Sequence, residues 1–269
     1  MRMPQSSSSV SMALGRTELA RRGAEALAEL RHRAPRVHCI TNNAACAYTA
    51  NVLLAVGVTP SLSFAEHEIG EFVATADALL INLGTMDPER SRAIELALAV
   101  VKERSKRWVL DPVLVDRSAS RLKQAERLLH SSPDVIRGNG AEIDTLAGAL
   151  GEADAGGLAR RTGAVVIQTG PTDVVCNDGE AVVIENGHPW MSCVTATGCA
   201  GGALVGAFLA LQGTAFKAAW AATLTLGVAG EIAGARAQGP GSFQFGLLDA
   251  LDGLESDQFS ARARIGWLD

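Results

Sequence analysis

Aromatic residues are scarce in this chain: they make up 4% of its 269 residues, and only one is a tyrosine. That shortage disfavours an aromatic-rich all-β sandwich, and the 28 glycines, with abundant alanine, suit close packing of helices on a sheet. The cysteines (Cys39, Cys46, Cys176, Cys193 and Cys199) are odd in number and include no CxxC pair, which speaks against a disulfide scaffold and against a zinc site. Basic residues form no cluster, and the net charge is −5 with a pI of about 5.6. The electrostatic footprint of a nucleic-acid or anionic-membrane binder is missing, so a small-molecule partner is expected. The start, MRMPQSSSSVSM, contains no signal-peptide core, and the most apolar segment, Ala200 to Leu211, falls short of a bilayer span. These absences lead to an expectation of a cytoplasmic protein.

What is present is a composition of 48% hydrophobic and 20% charged residues, enough to bury a large core and to exclude disorder as the main state. Residues 1–16 read as a flexible segment and 17–269 as one domain, without internal repeat or linker. Thr17 is the expected cap of an amphipathic helix that ends at Ala34-Pro35. Short apolar runs then alternate with helix-length patterns: Val37 to Ile40, Thr59 to Ser63, Ala78 to Leu83, Trp108 to Leu110, Asp134 to Ile136 and Val165 to Gln168. Such runs are the signature of parallel strands buried on both faces. Asp87-Pro88 is a helix start, and Asn177-Asp178-Gly179-Glu180 is the turn of a hairpin between Asp173–Cys176 and Ala181–Ile184. Met191 to Val194 reads as a further strand, and Gly198 to about Gly253 as mostly helical. The fold class is α/β, with a mostly parallel sheet covered by helices on both faces.

In such sheets ligands sit beyond the carboxyl ends of the strands. The residues there are Thr41-Asn42-Asn43, Asn82-Leu83-Gly84-Thr85, Asp111-Pro112, Arg137-Gly138-Asn139, Thr169-Gly170 and Thr195 to Cys199. One shared polar cleft would account for their chemistry; general loop polarity is the plainer alternative.

The run ATGCAGG, Ala196 to Gly202, precedes an apolar helix. Small residues let a ligand approach the backbone, and the free amides of a helix start attract a phosphate, although the same residues also serve tight packing. The run is neither a Walker A loop nor a GxGxxG fingerprint. Cys199 admits three readings: an inert buried thiol, an acyl-transfer nucleophile, or a weak proton acceptor for a hydroxyl attacking a terminal phosphate, its pKa lowered by the helix start. The third is preferred, because phosphoryl transfer depends mainly on positioning and charge neutralisation. Asp111 and Glu142 are the candidate magnesium ligands, with capping and first-turn dipole roles as alternatives. Arg137 is a candidate phosphate contact, with a surface ion pair as its alternative.

Taken together, HCITNNAACAYTANVLLAVG (38–57), ADALLINLGT (76–85), VLDPV (109–113), DVIRGNGAEI (134–143), TGPTDVV (169–175), NGHP (186–189), VTATGC (194–199) and GPGSFQ (239–244) resemble the hydroxyethylthiazole kinase family, a branch of the ribokinase-like superfamily. The resemblance spans about Pro35 to about Leu251. It implies a ribokinase-like three-layer sandwich and ATP- and magnesium-dependent phosphorylation of the hydroxyethyl group of 4-methyl-5-(2-hydroxyethyl)thiazole in thiamine salvage, usually by a homotrimer with sites between subunits. On this resemblance Arg137 and Thr169 bind ATP, and Asn139, Thr197 and Gly198 adjoin its phosphates. Asp111 and Glu142 serve metal and phosphates, and Cys199 stands where most ribokinase-like enzymes place an aspartate base. Asn42 falls near the thiazole pocket, where Leu62 replaces the family's methionine and Ala196 its glycine. Two further departures are DPVLVDRS (111–118) in place of a glycine-rich loop, and a shortened stretch from Leu146 to Gly163. Leu62 and Ala196 keep open a kinase of a different alcohol, the DPVLVDRS loop a binding paralogue without turnover, and Cys199 a cysteine hydrolase.

Overall fold

The structure, a computed structural model, describes residues 15–268. The expected flexible start therefore lies outside the described residues, except for Gly15 and Arg16, which open the first helix. In chain order the elements are α1 (Arg16–Arg33), β1 (Arg36–Ile40), α2 (Cys46–Ala55), β2 (Thr59–Ser61), α3 (Ile69–Thr75), β3 (Ala78–Asn82), α4 (Pro88–Arg104), β4 (Arg107–Asp111), α5 (Ala119–Leu129), β5 (Val135–Asn139), α6 (Gly140–Ala149) and α7 (Ala155–Thr162). There follow β6 (Val165–Thr169), β7 (Asp173–Cys176), β8 (Ala181–Ile184), a 3₁₀ turn (Pro189–Cys193), α8 (Thr197–Leu209), α9 (Ala215–Arg236), α10 (Pro240–Asp252), α11 (Ser256–Arg262) and β9 (Ile265–Trp267).

The strands form a single nine-stranded sheet in the order β2-β1-β3-β4-β5-β6-β7-β8-β9. From β2 to β6 all neighbours are parallel, and β7, β8 and β9 close one edge as antiparallel strands. The chain order reverses between β1 and β3, which makes their carboxyl ends a topological switch point. Alternate residues feed opposite cores. Val37, Leu80, Val109 and Val135 pack with Ala200, Leu204 and Phe208 of α8 and with α9. Ile40, Leu79, Ile81, Trp108, Leu110 and Ile136 pack against residues of α3, α4, α6 and α7. Burial on both faces explains why these strands read as continuous apolar runs rather than as alternating ones.

Local signals account for several element ends. Asp87 caps α4 by accepting from the Arg90 amide at 2.7 Å, with Pro88 next to it. Asn177 Oδ1 accepts from Gly179 and Glu180 at 2.9 and 2.8 Å, closing the expected hairpin. Two readings need correction. Thr17 lies inside α1, whose cap is Gly15, because the Gly15 carbonyl already accepts from the Glu18 and Leu19 amides. Met191 to Val194 is not a strand: Pro189 starts a 3₁₀ turn in which His188 accepts from the Trp190 amide at 3.2 Å. That turn lies against α9, where a Cβ on Gly230 would fall 2.8 Å from Met191 Sδ.

No apolar segment of bilayer length was expected from the sequence. Among the described residues, α9 alone is long and apolar enough to cross a membrane, yet it is mostly buried as a core helix of this fold. Neither α11 nor β9 was expected from the sequence.

Candidate active site

The site follows from strand parity. Val109 of β4 faces the α8 layer and Leu110 the other, so Asp111 faces α8 again; the same count brings Asn82, Arg137 and Thr169 to that side. Contacts agree with the count. A Cβ on Gly202 would lie 3.3 Å from Asp111 Oδ2, and one on Gly201 2.7 Å from an Arg137 guanidinium nitrogen. The glycines of ATGCAGG thus let the first turns of α8 settle on the carboxylate and the guanidinium.

At the start of α8, Ala196 adopts a left-handed backbone, φ +74°, and turns the chain into the helix without a side-chain cap. The Thr197 and Ala200 amides bond to the carbonyls of Val194 and Ala196, whereas those of Gly198 and Cys199 make no hydrogen bond among the described residues. These open donors stand at the positive end of a thirteen-residue helix. Beside them is a cavity of about 630 Å³ lined by Arg137, Asn139, Thr169, Thr197 and Gly198, and closed by Asp173, Asn186, His188, Met191 and Leu226. An anion with an apolar body fits such a space. Arg137 Nη1 also donates to the Gly198 carbonyl at 2.8 Å, which ties β5 to the helix start.

Asp111 ends β4 opposite Asn82 of β3, and Asn82 Nδ2 donates to its Oδ2 at 2.7 Å. Asp111 is buried, and burial pushes its carboxyl up to about 7; Arg137 and Asn82 oppose the rise, while Glu142 adds to it. Glu142 is a capping residue as well as a neighbouring charge. Its Oε2 accepts from the Asn139 amide at 2.9 Å, Asn139 Oδ1 accepts from the Glu142 amide at 3.0 Å, and its Oε1 accepts from Leu114 at 2.8 Å. The alternative weighed for Glu142, a first-turn dipole partner, agrees with its place in the first turn of α6, and its part in the capping box was not expected. The helix or turn cap weighed for Asp111 is not what its side chain does, since the carboxylate accepts from the Asn82 side chain and from no backbone amide among the described residues.

Cys199 Sγ accepts from Asn42 Nδ2 at 3.3 Å, and Asn42 Nδ2 also lies 3.4 Å from Asn82 Oδ1. This links the loops after β1 and β3 to α8 at the switch point. The expected acidification of Cys199 by the helix start is not found. Burial, and then the Asp111 charge, push its thiol up to about 11 against smaller opposing contributions from Asn42, Asn82 and Arg137. Desolvation of the thiolate is the largest cause of this rise.

All five expected nucleotide-side residues thus line one cavity, and Asn42, Cys199, Asp111 and Glu142 gather beside it. Leu62 and Ala196 do not line that cavity; both are half-buried and pack on the α8-side core. Asn82 and Gly84 were read only as strand-end residues. A Cβ on Gly84 would fall 2.8 Å from Asn42, and register with Asp111 gives Asn82 its place. Only tertiary pairing reveals either role. His188 and Asn186 belong to NGHP, whose order in the chain is the one sequence signal for them.

A mostly parallel sheet between two helical layers, with the open amides of a helix start facing a cavity beyond the strand ends, defines a ribokinase-like fold. A ribokinase-like superfamily protein of Enterococcus faecalis V583 (14% identity, TM-score 0.62) and a Bacillus subtilis pyridoxal kinase solved with ADP (18%, TM-score 0.55) share this fold. They cover 84% and 73% of this chain, and are themselves covered to 89% and 91%. The sequence model of the Hydroxyethylthiazole kinase family matches residues 27–257, and the chain belongs to that family. It is 41% identical over 246 residues to a probable hydroxyethylthiazole kinase of Agrobacterium fabrum, covering 91% of this chain and 95% of that relative. A hydroxyethylthiazole kinase of Cereibacter sphaeroides is 43% identical over 250 residues, covering 88% and 95%. The hydroxyethylthiazole kinase protein of Pyrococcus horikoshii OT3 superposes with a TM-score of 0.89 at 35% identity, covering 92% of this chain and 99% of that one. The chain is accordingly a kinase.

Proposed function

We propose that this kinase transfers the γ-phosphoryl group of ATP to the hydroxyethyl group of 4-methyl-5-(2-hydroxyethyl)thiazole, with magnesium, as a cytoplasmic step of thiamine salvage. The observation that carries the reading is the pair of open amides at Gly198 and Cys199, set between the cavity and the Asn42–Cys199 contact. ATP lies in the cavity with its phosphates toward Arg137, Asn139, Thr169, Thr197 and Gly198. The acceptor alcohol enters on the Asn42 side, with Leu62 and Ala196 shaping its pocket. The two halves meet at the helix start, where the transferred group is held by main-chain donors.

A divalent ion suits Asp111 in particular. Its Oδ1 accepts no hydrogen bond among the described residues, and its ionisation is costly without a cation. Glu142 already accepts two amide hydrogens, but each carboxylate oxygen retains a lone pair. Among the described residues no group of three or more His, Cys, Asp or Glu gathers. A site of one or two carboxylates, completed by phosphate oxygens and water, fits magnesium rather than zinc. When bound, the ion would neutralise charge on the phosphates.

Cys199 is the residue nearest to a proton acceptor, but a weak one, since its raised pKa keeps the thiol protonated at neutral pH. The same raised value argues against an acyl-transfer nucleophile, which needs an accessible thiolate. A homotrimer and a single domain over 17–269 complete the proposal; the continuous sheet supports the latter. The test is ADP release by the purified protein with ATP, magnesium and the thiazole alcohol. Dependence on all three is expected, and tight alcohol binding without product would overturn turnover while leaving a binding protein.

A further inference from the structure

Arg90 is fully buried, stands in the first turn of α4 and belongs to no part of the cleft so far described. Each feature is unfavourable by itself. A buried guanidinium loses hydration, a cation near a helix start opposes its dipole, and Nε has no hydrogen-bond partner. What Arg90 gains comes from three separate strand-end loops. Its Nη2 donates to Asn43 Oδ1 at 2.9 Å, in the loop after β1. Its Nη1 donates to the Thr85 carbonyl in the loop after β3, where Thr85 holds a left-handed backbone, φ +51°. Its guanidinium carbon lies 4.2 Å from the Phe64 ring centroid, in the loop after β2. Asp87, 3.6 Å away and largely exposed, is the partial counter-charge.

Each of these loops also carries a residue of the acceptor side. Asn42 precedes Asn43 and reaches Cys199; Leu62 stands two residues before Phe64; Gly84, which gives Asn42 its room, precedes Thr85. A planar fork with a π face can hold a carbonyl, an amide oxygen and a ring at once, which an ammonium on a flexible stem cannot do with the same geometry. We infer that Arg90 is a positioning residue that locks the three loops of the acceptor half of the cleft into one arrangement. It acts through Asn43, Thr85 and Phe64 and touches neither substrate. The nucleotide half, built from β5, β6 and α9, has no contact with it.

The inference rests on the acceptor-side reading given above, so the experiment separates the two. Steady-state kinetics of the full chain and its Arg90→Lys variant are measured with the thiazole alcohol and ATP varied in turn, alongside thermal unfolding. The expected result is a rise of about tenfold or more in KM for the alcohol, with KM for ATP within about twofold of the parent. A purely structural role would lower Tm or the active fraction and leave both KM values of the folded enzyme unchanged, which would overturn the inference; so would an equal rise in both. If Arg90→Lys does not fold, Asn43→Ala, at an exposed position, must show the same selective rise on a smaller scale, and no rise there overturns it. Failure of the parent enzyme to release ADP with the alcohol would overturn the acceptor reading itself, and this inference with it.

Discussion

Asn42 Nδ2 sits 3.3 Å from Cys199 Sγ, joining the loop after β1 to the first turn of α8. This amide opposes the rise of the thiol pKa, but burial and the Asp111 charge exceed it, leaving the value at about 11.

A pH profile follows from that balance. If Cys199 takes the alcohol proton, the reactive thiolate fraction grows tenfold for each pH unit below its pKa. The logarithm of kcat should then rise with a slope near one from about pH 7 to about pH 9 in the parent enzyme and stay flat in Cys199→Ala. A flat profile for the parent would remove Cys199 from proton transfer and leave positioning and charge neutralisation as the source of rate.

Asp111 ties stability to pH in the opposite sense from an ordinary ion-paired carboxylate. Its folded pKa of about 7 stands above the reference 3.8, so the folded state binds its proton more tightly than the unfolded chain. That contribution is full below pH 3.8 and is lost as pH rises toward 7. Asp111→Asn, which can still accept from Asn82, should therefore be more stable than the parent at pH 8 by up to ~4 kcal/mol, the ceiling set by a shift of this size. At about pH 4 the gain should vanish. Thermal unfolding at the two pH values checks this, and magnesium should raise Tm for the parent but not for the variant.

Gly201 is where α8 passes Arg137. A methyl there would stand 2.7 Å from the guanidinium and 3.1 Å from Leu226 Cδ2. Gly201→Ala should push Arg137 out of its bond to the Gly198 carbonyl and weaken ATP binding about tenfold, equivalent to ~1.4 kcal/mol, with a stability cost of ~1–3 kcal/mol from overpacking. Calorimetric titration with ATP measures the first and denaturant unfolding the second.

Ala196 carries a side chain at φ +74°, a conformation that glycine adopts without penalty. Ala196→Gly should stabilise the protein by up to ~1 kcal/mol. It should also lower KM for the thiazole alcohol if the Ala196 methyl narrows that pocket. An unchanged alcohol KM together with the stability gain would make Ala196 a backbone matter only.

Much of the fold was legible in the chain itself. Apolar runs such as Ala78 to Leu83 announced strands buried on both faces, Asp87-Pro88 a capped helix, and Asn177 to Glu180 a hairpin, because each depends on neighbours a few residues apart. The cavity-lining Arg137, Asn139, Thr169, Thr197 and Gly198 were legible as well, since parallel sheets gather their strand ends at one edge. Where local signals were weak or a tertiary neighbour intervened, the reading failed: Thr17 lies inside its helix, and Met191 is held in a 3₁₀ turn against Gly230 of α9.

What only the tertiary structure decided are the long-range pairings. Asn82 meets Asp111 through β3–β4 register, Arg90 meets three loops from a helix start, and the Cys199 thiol is raised rather than lowered. Desolvation depends on how many groups from distant parts of the chain crowd around a charge, and no local pattern of residues carries that number.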